Sequence, residues 1–416
     1  MEAVPGGPAA QAQDRLNEQT GGASSASAYT FAQKYLPWFN KNYELYGRKV
    51  VIEKYNGQGN SIDEAQDKGQ EAACADATKA ATTVHAFAAL QYGFTEESGV
   101  FAECAALRQK MFLPLAAPYF PESYFKRWHP YVWDNTMQCE RIAHDIAEYA
   151  GKRLNGRNAK WAGDATYKAS KRRFAIYVPN SPAYQICADI IEKDFGKKYG
   201  GKLVSRYNYA LDVAQFPSEA VRAVVQFQAA RATTVILACD NLSPIFLTQG
   251  ANQQDYHPEW MLIGVAGTDL DSAAASYDQE EVSGHLFGMS QLGNTAKLTS
   301  PTGEAARAWR EATGEKTLPS GAYYAYYNYV QIFSLLQAAG PDLTPANAAI
   351  GIRKYPVAGG AQGASGTWSW ATDHTATIDA REIYWDGPSQ HFKETYGGRR
   401  FQSGQWPASE PPIYPT

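Results

Sequence analysis

The strongest constraint on this chain is a repeated beat in which a short apolar run is followed by a turn and then a helical run. "KVVIEKYNGQGNSIDEAQ" (49–66) opens it, with an apolar strand, a glycine-rich turn and a helix start. It continues through a helix over 61–79, "TVHAFAAL" (83–90), a helix over 99–110 and "MFLPLAAP" (111–118). Strands that alternate with helices across short turns predict parallel sheets covered on both faces and joined by right-handed crossovers. The aromatic stretch 119–135 fits neither period and reads as a passage between lobes. The beat then restarts with a helix over 137–154, "RFAIYVPN" (173–180), a helix over 183–197, "KLVSRYNYAL" (202–211), a helix over 217–231, "TTVILAC" (233–239) and "EWMLIGVAG" (259–267). "GHLFGMSQLG" (284–293), with its glycines, reads as a second passage. A helix over 307–313, the tyrosine-rich "AYYAYYNYVQIFSLLQAAG" (322–340), a short helix from Pro345, a glycine-rich run (358–366) and "ATIDAREIYWDG" (376–387) complete the chain. Most of the tyrosines recur at helical spacing and are expected to face a core, with Tyr329 off the stripe.

The turn Gly57-Gln58-Gly59 has half of a dinucleotide fingerprint. Free N–H groups and a helix dipole at a strand-to-helix turn attract phosphate. The third glycine, needed for close helix packing, is replaced by Ile62. Ser61 and Glu64 fit an S-x-x-E capping box, so the turn is expected to be an ordinary sheet corner.

At 416 residues the chain is long for one core, which predicts two lobes. A formal charge of −4, from 38 basic and 42 acidic residues scattered along the chain, gives nucleic acid no footprint. No run approaches the ~18 apolar residues of a membrane span. Cys74, Cys104, Cys139, Cys187 and Cys239 stand singly, without C-x-x-C or a histidine at ligand spacing, so neither zinc nor any other metal is expected. Cys74 with Cys104 is the candidate disulfide if the protein is exported, buried free thiols being the alternative. Five is odd, so at least one thiol stays unpaired within the chain. Residues 1–30 have no basic n-region or apolar core and read as a flexible segment, not a signal peptide.

Enzyme signatures fail one by one. There is no G-x-S-x-G elbow and no P-loop. The seven histidines are dispersed, and His144-Asp145 and Asp373-His374, being sequence neighbours, point apart. Glu96-Glu97 and Glu280-Glu281 read as solvated faces. No catalytic residue and no cofactor is expected.

The order of these pieces resembles the type I periplasmic binding proteins, in particular the branched-chain amino-acid receptors of ABC importers. "NKNYELYGRKVVIEKYNGQGNSIDEAQ" is similar to the family's helix, Gly-Arg-Lys turn, second strand and corner. "TVHAFAAL", "MFLPLAAP", "RFAIYVPNSPAYQ", "TTVILACDN" and "MLIGVAGTD" take the places of later strands, each with its loop. The resemblance implies a two-lobed α/β fold, each lobe a parallel sheet with helices on both faces, and a cleft at the carboxyl ends of the strands that closes on a small molecule by hinge motion. It puts lobe 1 at 31–132 and 288–357 and lobe 2 at 133–287 and 366–416. The ligand loops then present Gln91, Tyr92, Gly93, Ala116, Ala117 and Tyr119 on lobe 1, and Asn180, Tyr184, Asp240, Thr268 and Asp269 on lobe 2. The family's amino-acid binders hold a carboxylate with lobe 1 hydroxyls, and here Gln91, Tyr92 and alanines stand in their place, which favours a larger or less polar cargo. Asp240 or Asp269 would pair a cation or accept from hydroxyls.

One departure stands out: the family opens on a central apolar strand that residues 1–30 do not offer. The expectation is of a truncated sequence, or one begun at an internal methionine, which would also remove an export signal. The resemblance thus implies a non-catalytic, monomeric receptor in the periplasm or at the cell surface, lipid-anchored in its full-length form, that hands its ligand to an ABC permease. An α/β enzyme using the same cleft, or the sensing domain of a receptor, are the alternatives.

Overall fold

The structure, a computed structural model, describes residues 2–4, 11, 14–15, 24–60, 63–64, 68–89, 99–114, 120–360 and 366–414. It divides into two compact units, Met1–Gln138 with Gly293–Thr377, and Cys139–Leu292 with Ile378–Thr416.

In the first unit, helix Ser25–Asn42 starts at Ser24, whose hydroxyl accepts from Ser27 N–H. Tyr35, Leu36 and Phe39 are buried on one face, against Trp309 of helix Glu304–Thr313 and Tyr326, Tyr329 and Phe333 of helix Ala322–Ala338. Tyr329 is only 2% exposed and meets Phe39 edge-on at 5.2 Å. The expectation that it lies off the stripe is therefore corrected: Ala322, Tyr326, Tyr329 and Phe333 form an i, i+4, i+7, i+11 row.

Lys54–Asn56 pairs in parallel with Glu2–Val4. Residues 1–30, expected to offer no central apolar strand, supply this three-residue strand of a two-stranded sheet. The strands expected at 83–90 and 111–118 are reduced, among the described residues, to the parallel bridges Ala88 to Phe112 and Leu113 to Val132. Asp134 to Thr375 adds a third parallel bridge. Alanine-rich segments of this kind hold few β-branched side chains that would fit a pleated surface. The aromatic stretch 119–135, read as irregular, carries helix Glu122–Arg127.

The glycine turn is a sheet corner. Gln58 and Gly59 donate their N–H groups to Asp76 Oδ2 at 2.8 and 2.9 Å, and Tyr55 donates to Oδ1 at 2.8 Å. Asp76 is fully buried on helix Gln70–Thr82. An internal carboxylate therefore occupies the place a phosphate would take. Of the helix expected over 61–79, Asp63 and Glu64 are helical and Gln70–Thr82 forms a helix led by Gly69 in the left-handed region, residues 61–62 and 65–67 lying outside the described residues. Ser61 lies outside the described residues, and Glu64 caps a different helix: its Oε2 accepts from Val100 N–H at 2.9 Å at the start of Gly99–Gln109. Burial pushes the Glu64 carboxyl up to about 8. Cys74 and Cys104 join these two helices as a disulfide.

The second unit is built on one sheet. Its strands are β1 (Phe174–Pro179), β2 (Leu203–Tyr209), β3 (Thr234–Leu237), β4 (Glu259–Leu262), β5 (Leu286–Ser290), β6 (Ala380–Asp386), β7 (His391–Glu394) and β8 (Arg400–Phe401). The order is β7-β6-β5-β4-β3-β1-β2, with β8 beside β6. The strands from β1 to β5 are parallel and β6 returns antiparallel. Segment 284–293, expected to be a passage, holds the buried strand β5, and the chain then passes from the second unit to the first at Leu292–Gly293. Gly288 belongs to the strand: at φ 152° it lies so close to β4 that a Cβ would meet Leu262 O, so close approach of backbones, not a loop, requires this glycine.

Helices α1 (Cys139–Tyr149), α2 (Pro182–Tyr199), α3 (Phe216–Ala229) and α4 (Ser243–Gln253) accompany the sheet. A second disulfide, Cys139 to Cys187, joins α1 to α2, and Cys239 is free and buried. At the amino end of β4, Glu259 and Arg172 pair at 2.7 Å with both side chains fully buried. Thr234 Oγ1 and Trp161 N–H satisfy the remaining carboxylate capacity. The opposite, carboxyl end of the parallel strands is left for function.

Candidate functional site

At that carboxyl end β1 runs into Asn180 and Ser181, β2 stops at Tyr209, and β3 runs into Cys239 and Asp240. The Tyr209 hydroxyl donates to Asp240 Oδ2, and accepts from Asp240 N–H at 3.3 Å and from Ser243 Oγ at 3.1 Å. Asp240 Oδ1 accepts from the N–H groups of Leu242 and Ser243, both at 2.8 Å, and so caps α4. Tyr177 stacks on Tyr209 with centroids 4.2 Å apart. Burial first, then the Asp240 charge, pushes the Tyr209 phenol well above its ordinary range. The half-buried carboxylate of Asp240 is therefore backed by a neutral phenol and a helix start.

The five second-unit residues expected to contact ligand separate into two groups. Asn180 is exposed, with its N–H donating to Tyr209 O at 2.7 Å, and Asp240 is half-buried beside it on the same strand ends. Tyr184, Thr268 and Asp269 are interior, at 5%, 0% and 1% exposure. Thr268 closes a turn on Val265 O, through its N–H at 2.9 Å and its hydroxyl at 2.7 Å. Asp269 accepts from the Ser290 hydroxyl. Burial raises its carboxyl, with the Ser290 hydrogen bond and the Arg381 charge opposing. Gln91, Tyr92, Gly93, Ala116, Ala117 and Tyr119 lie outside the described residues.

Folding also assembles groups that looked dispersed. In the first unit His374 Nδ1 meets Glu122 Oε1 at 2.7 Å, and its Nε2 meets His129 Nδ1 at 3.0 Å. Burial alone would raise the Glu122 carboxyl, but the His374 ring and backbone N–H bring it below the usual range. Arg353, over the Trp133 ring, binds the carbonyls of Trp370 and Asp373 at 2.8 and 2.6 Å. The network ties segment 370–374 to helix Glu122–Arg127. In the second unit the pair expected to be solvated divides: Glu280 is exposed, while Glu281 is 1% exposed, hydrogen-bonded to His257 and pushed up by burial to about 7. Neither cluster had a sequence signal, because its members are up to 252 residues apart. Among the described residues no three His, Cys, Asp or Glu side chains are grouped to hold a metal, and no helix is long and apolar enough to cross a membrane.

The family model for periplasmic binding protein matches residues 17–387. The chain belongs to the periplasmic binding protein family. No curated protein matches it. Similar solved structures show the same fold at low identity. The branched-chain amino acid transporter substrate binding protein LivJ of Streptococcus pneumoniae, in complex with isoleucine, is 16% identical, with TM-score 0.63 over 94% of this chain and 96% of that one. An ABC transporter solute binding protein of R. palustris, in complex with 4-hydroxybenzoate, is 13% identical, with TM-score 0.65 over 97% of each chain. An ABC transporter substrate-binding protein of Desulfitobacterium hafniense, in complex with Leu, is 18% identical, with TM-score 0.56 over 88% of this chain and 95% of that one.

Proposed function

We propose that this periplasmic binding protein is the extracytoplasmic receptor of an ABC importer: it captures a small organic molecule, without converting it, and delivers it to a permease. The observation that carries this reading is the family match over 17–387, on a chain whose second unit opens Asn180 and Asp240 at the carboxyl ends of parallel strands, where α/β sheets take ligands. Two disulfides fit an oxidising compartment. The relatives hold isoleucine, leucine and 4-hydroxybenzoate, so amino acids and aromatic acids are the first cargo classes to test. The protein acts as a monomer. Asp240 is the second-unit acceptor for a ligand ammonium or hydroxyl, with Asn180 beside it. Thr268 and Asp269 support the strand ends from within.

A thermal-shift screen of the purified protein against amino acids, aromatic acids, sugars, sterols and nucleotides tests this. A ligand at a hundred times its Kd adds ~2.7 kcal/mol, an easily read shift. One organic class is expected to stand out, and stabilisation by nucleotides alone would count against the receptor.

A further inference from the structure

The chain crosses between its two units three times, at Gln138–Cys139, Leu292–Gly293 and Thr377–Ile378. Backbone that crosses between compact units is where a hinge absorbs its change of dihedral angle. On the second unit's side each crossing is fastened within two residues. Cys139 is held to α2 by its disulfide with Cys187. The other two crossings share one side chain.

The ladder between β5 and β6 ends at Ser290 with Arg381. Beyond it the carbonyls of Gln291 and Leu292 are taken by Arg400 of β8, whose Nη2 and Nη1 donate at 2.7 and 2.8 Å. The same guanidinium reaches the neighbouring passage: Nε donates to Asp379 Oδ1 at 2.5 Å, and Nη2 to Asp379 O at 2.8 Å. Arg381 Nε adds a second donor to Leu292 O at 3.2 Å. The Arg400 and Asp379 side chains are 4% and 7% exposed, so the fork is sheltered from competing water. A planar guanidinium presents its donors in a fixed geometry, and one that holds two carbonyls of one segment and a carboxylate of another sets their separation. On the first unit's side the fastening is of another kind. Asp134 and Thr375 form a parallel bridge, and the N–H groups of Ala376 and Thr377 donate to the carbonyls of Asp134 and Asn135 at 3.1 and 3.2 Å.

We infer that Arg400 is a positioning residue for ligand capture: it pins two of the three passages to the second unit, past the end of their strand ladder, so that hinge bending is confined to the backbone beyond Leu292 and before Ile378. The inference rests on the receptor reading, in which capture is a hinge closure, and deepens it by naming the group that sets the second-unit edge of the hinge. A looser edge lets the free protein populate more arrangements, and ligand then selects the closed one from a larger set, which weakens binding.

The test compares wild type with Arg400→Lys and Arg172→Lys in the full chain, by hydrogen exchange of the free proteins and by binding of L-isoleucine, L-leucine and 4-hydroxybenzoate. Arg400→Lys keeps a charge beside Asp379 but has one nitrogen where the fork has three. Arg172→Lys makes the same change in a buried pair at the other end of the sheet, and is the control for a merely structural loss. Loss of charge-assisted hydrogen bonds is worth about tenfold in local opening, so amides of 290–293 and 378–380 are expected to exchange about tenfold faster in Arg400→Lys, with α1 to α4 unchanged. The best-bound probe is expected to be held about tenfold more weakly by Arg400→Lys and as in wild type by Arg172→Lys. Should Arg400→Lys not fold, Asp379→Asn, which frees one arm of the fork, carries the same comparison. Unchanged exchange at the passages, faster exchange throughout the second unit, or an affinity lowered as much by Arg172→Lys overturns the inference and leaves the receptor reading standing. Faster exchange at the passages with unchanged affinity overturns it as well. Wild type that binds none of the probes counts against the receptor reading and against the inference with it.

Discussion

Removing the Asp76 carboxylate tests whether the glycine turn is an internally capped corner. Asp76→Ala deletes the acceptor of three hydrogen bonds, from Tyr55 Oη, Gln58 N–H and Gly59 N–H. Gln58 is exposed and Tyr55 half-exposed, so their donors regain water and cost about 1 kcal/mol each. Gly59 is buried, and its orphaned N–H costs about 1–3 kcal/mol. The total is about 3–5 kcal/mol, which at about 2–4 °C per kcal/mol lowers the melting temperature by roughly 6–20 °C. Asp76→Asn keeps an acceptor at the same place and is expected to lose less than half of this. Calorimetry of the three proteins, with and without 50 mM sulfate, reads the effect. Sulfate is expected to stabilise Asp76→Ala and leave wild type unmoved, because only the variant frees the turn N–H groups for an anion. Wild type stabilised by sulfate or nucleotide, or an Asp76→Ala variant as stable as wild type, would refute the capping argument.

Three further outcomes follow from buried groups and crosslinks. Glu64, with its folded carboxyl pushed up to about 8 against ~4.3 unfolded, is neutral-favouring: its contribution is complete below pH ~4.3 and lost as pH rises through about 8, on the order of 5 kcal/mol. Urea midpoints are therefore expected to show Glu64→Gln gaining on wild type between pH 5 and 9, and parallel profiles would contradict this. Arg172→Met leaves Glu259 charged and buried without its partner and is expected to cost about 3–5 kcal/mol in urea unfolding; a cost under ~1 kcal/mol sinks that reading. Non-reducing peptide mapping is expected to yield the pairs Cys74–Cys104 and Cys139–Cys187 with Cys239 as a thiol, and reduction to cost about 2–4 kcal/mol per bridge. A bridge involving Cys239 would contradict the assignment.

The second unit was the more legible in sequence. Its strands "RFAIYVPN", "TTVILAC" and "EWMLIGVAG" are β-branched and apolar, as buried parallel strands must be, and the structure places β1, β3 and β4 within them. Strand β5 was hidden because Gly284, Gly288 and Gly293 look like loop chemistry, whereas Gly288 serves a close backbone approach that only the neighbouring strand reveals. In the first unit the strand signals at 83–90 and 111–118 were alanine-rich and weak, and among the described residues they are single bridges. At the candidate site, the placement of Asp240 and Asn180 at strand ends was readable by counting from the strands. That Thr268 and Asp269 point inward could not, since it depends on Val265 O and Ser290. Tyr209 and Ser243 were missed because one ends a strand and the other starts a helix, and only the fold brings them to one carboxylate.

The central claim is that this chain binds an organic solute and returns it unchanged. Equilibrium dialysis of the wild-type protein with the strongest organic hit, followed by mass spectrometry of the bound and free pools, tests it most directly. The account predicts saturation at one molecule per chain, with the ligand recovered at its original mass. A converted product, or saturable binding of nucleotides in place of any organic solute, would contradict it.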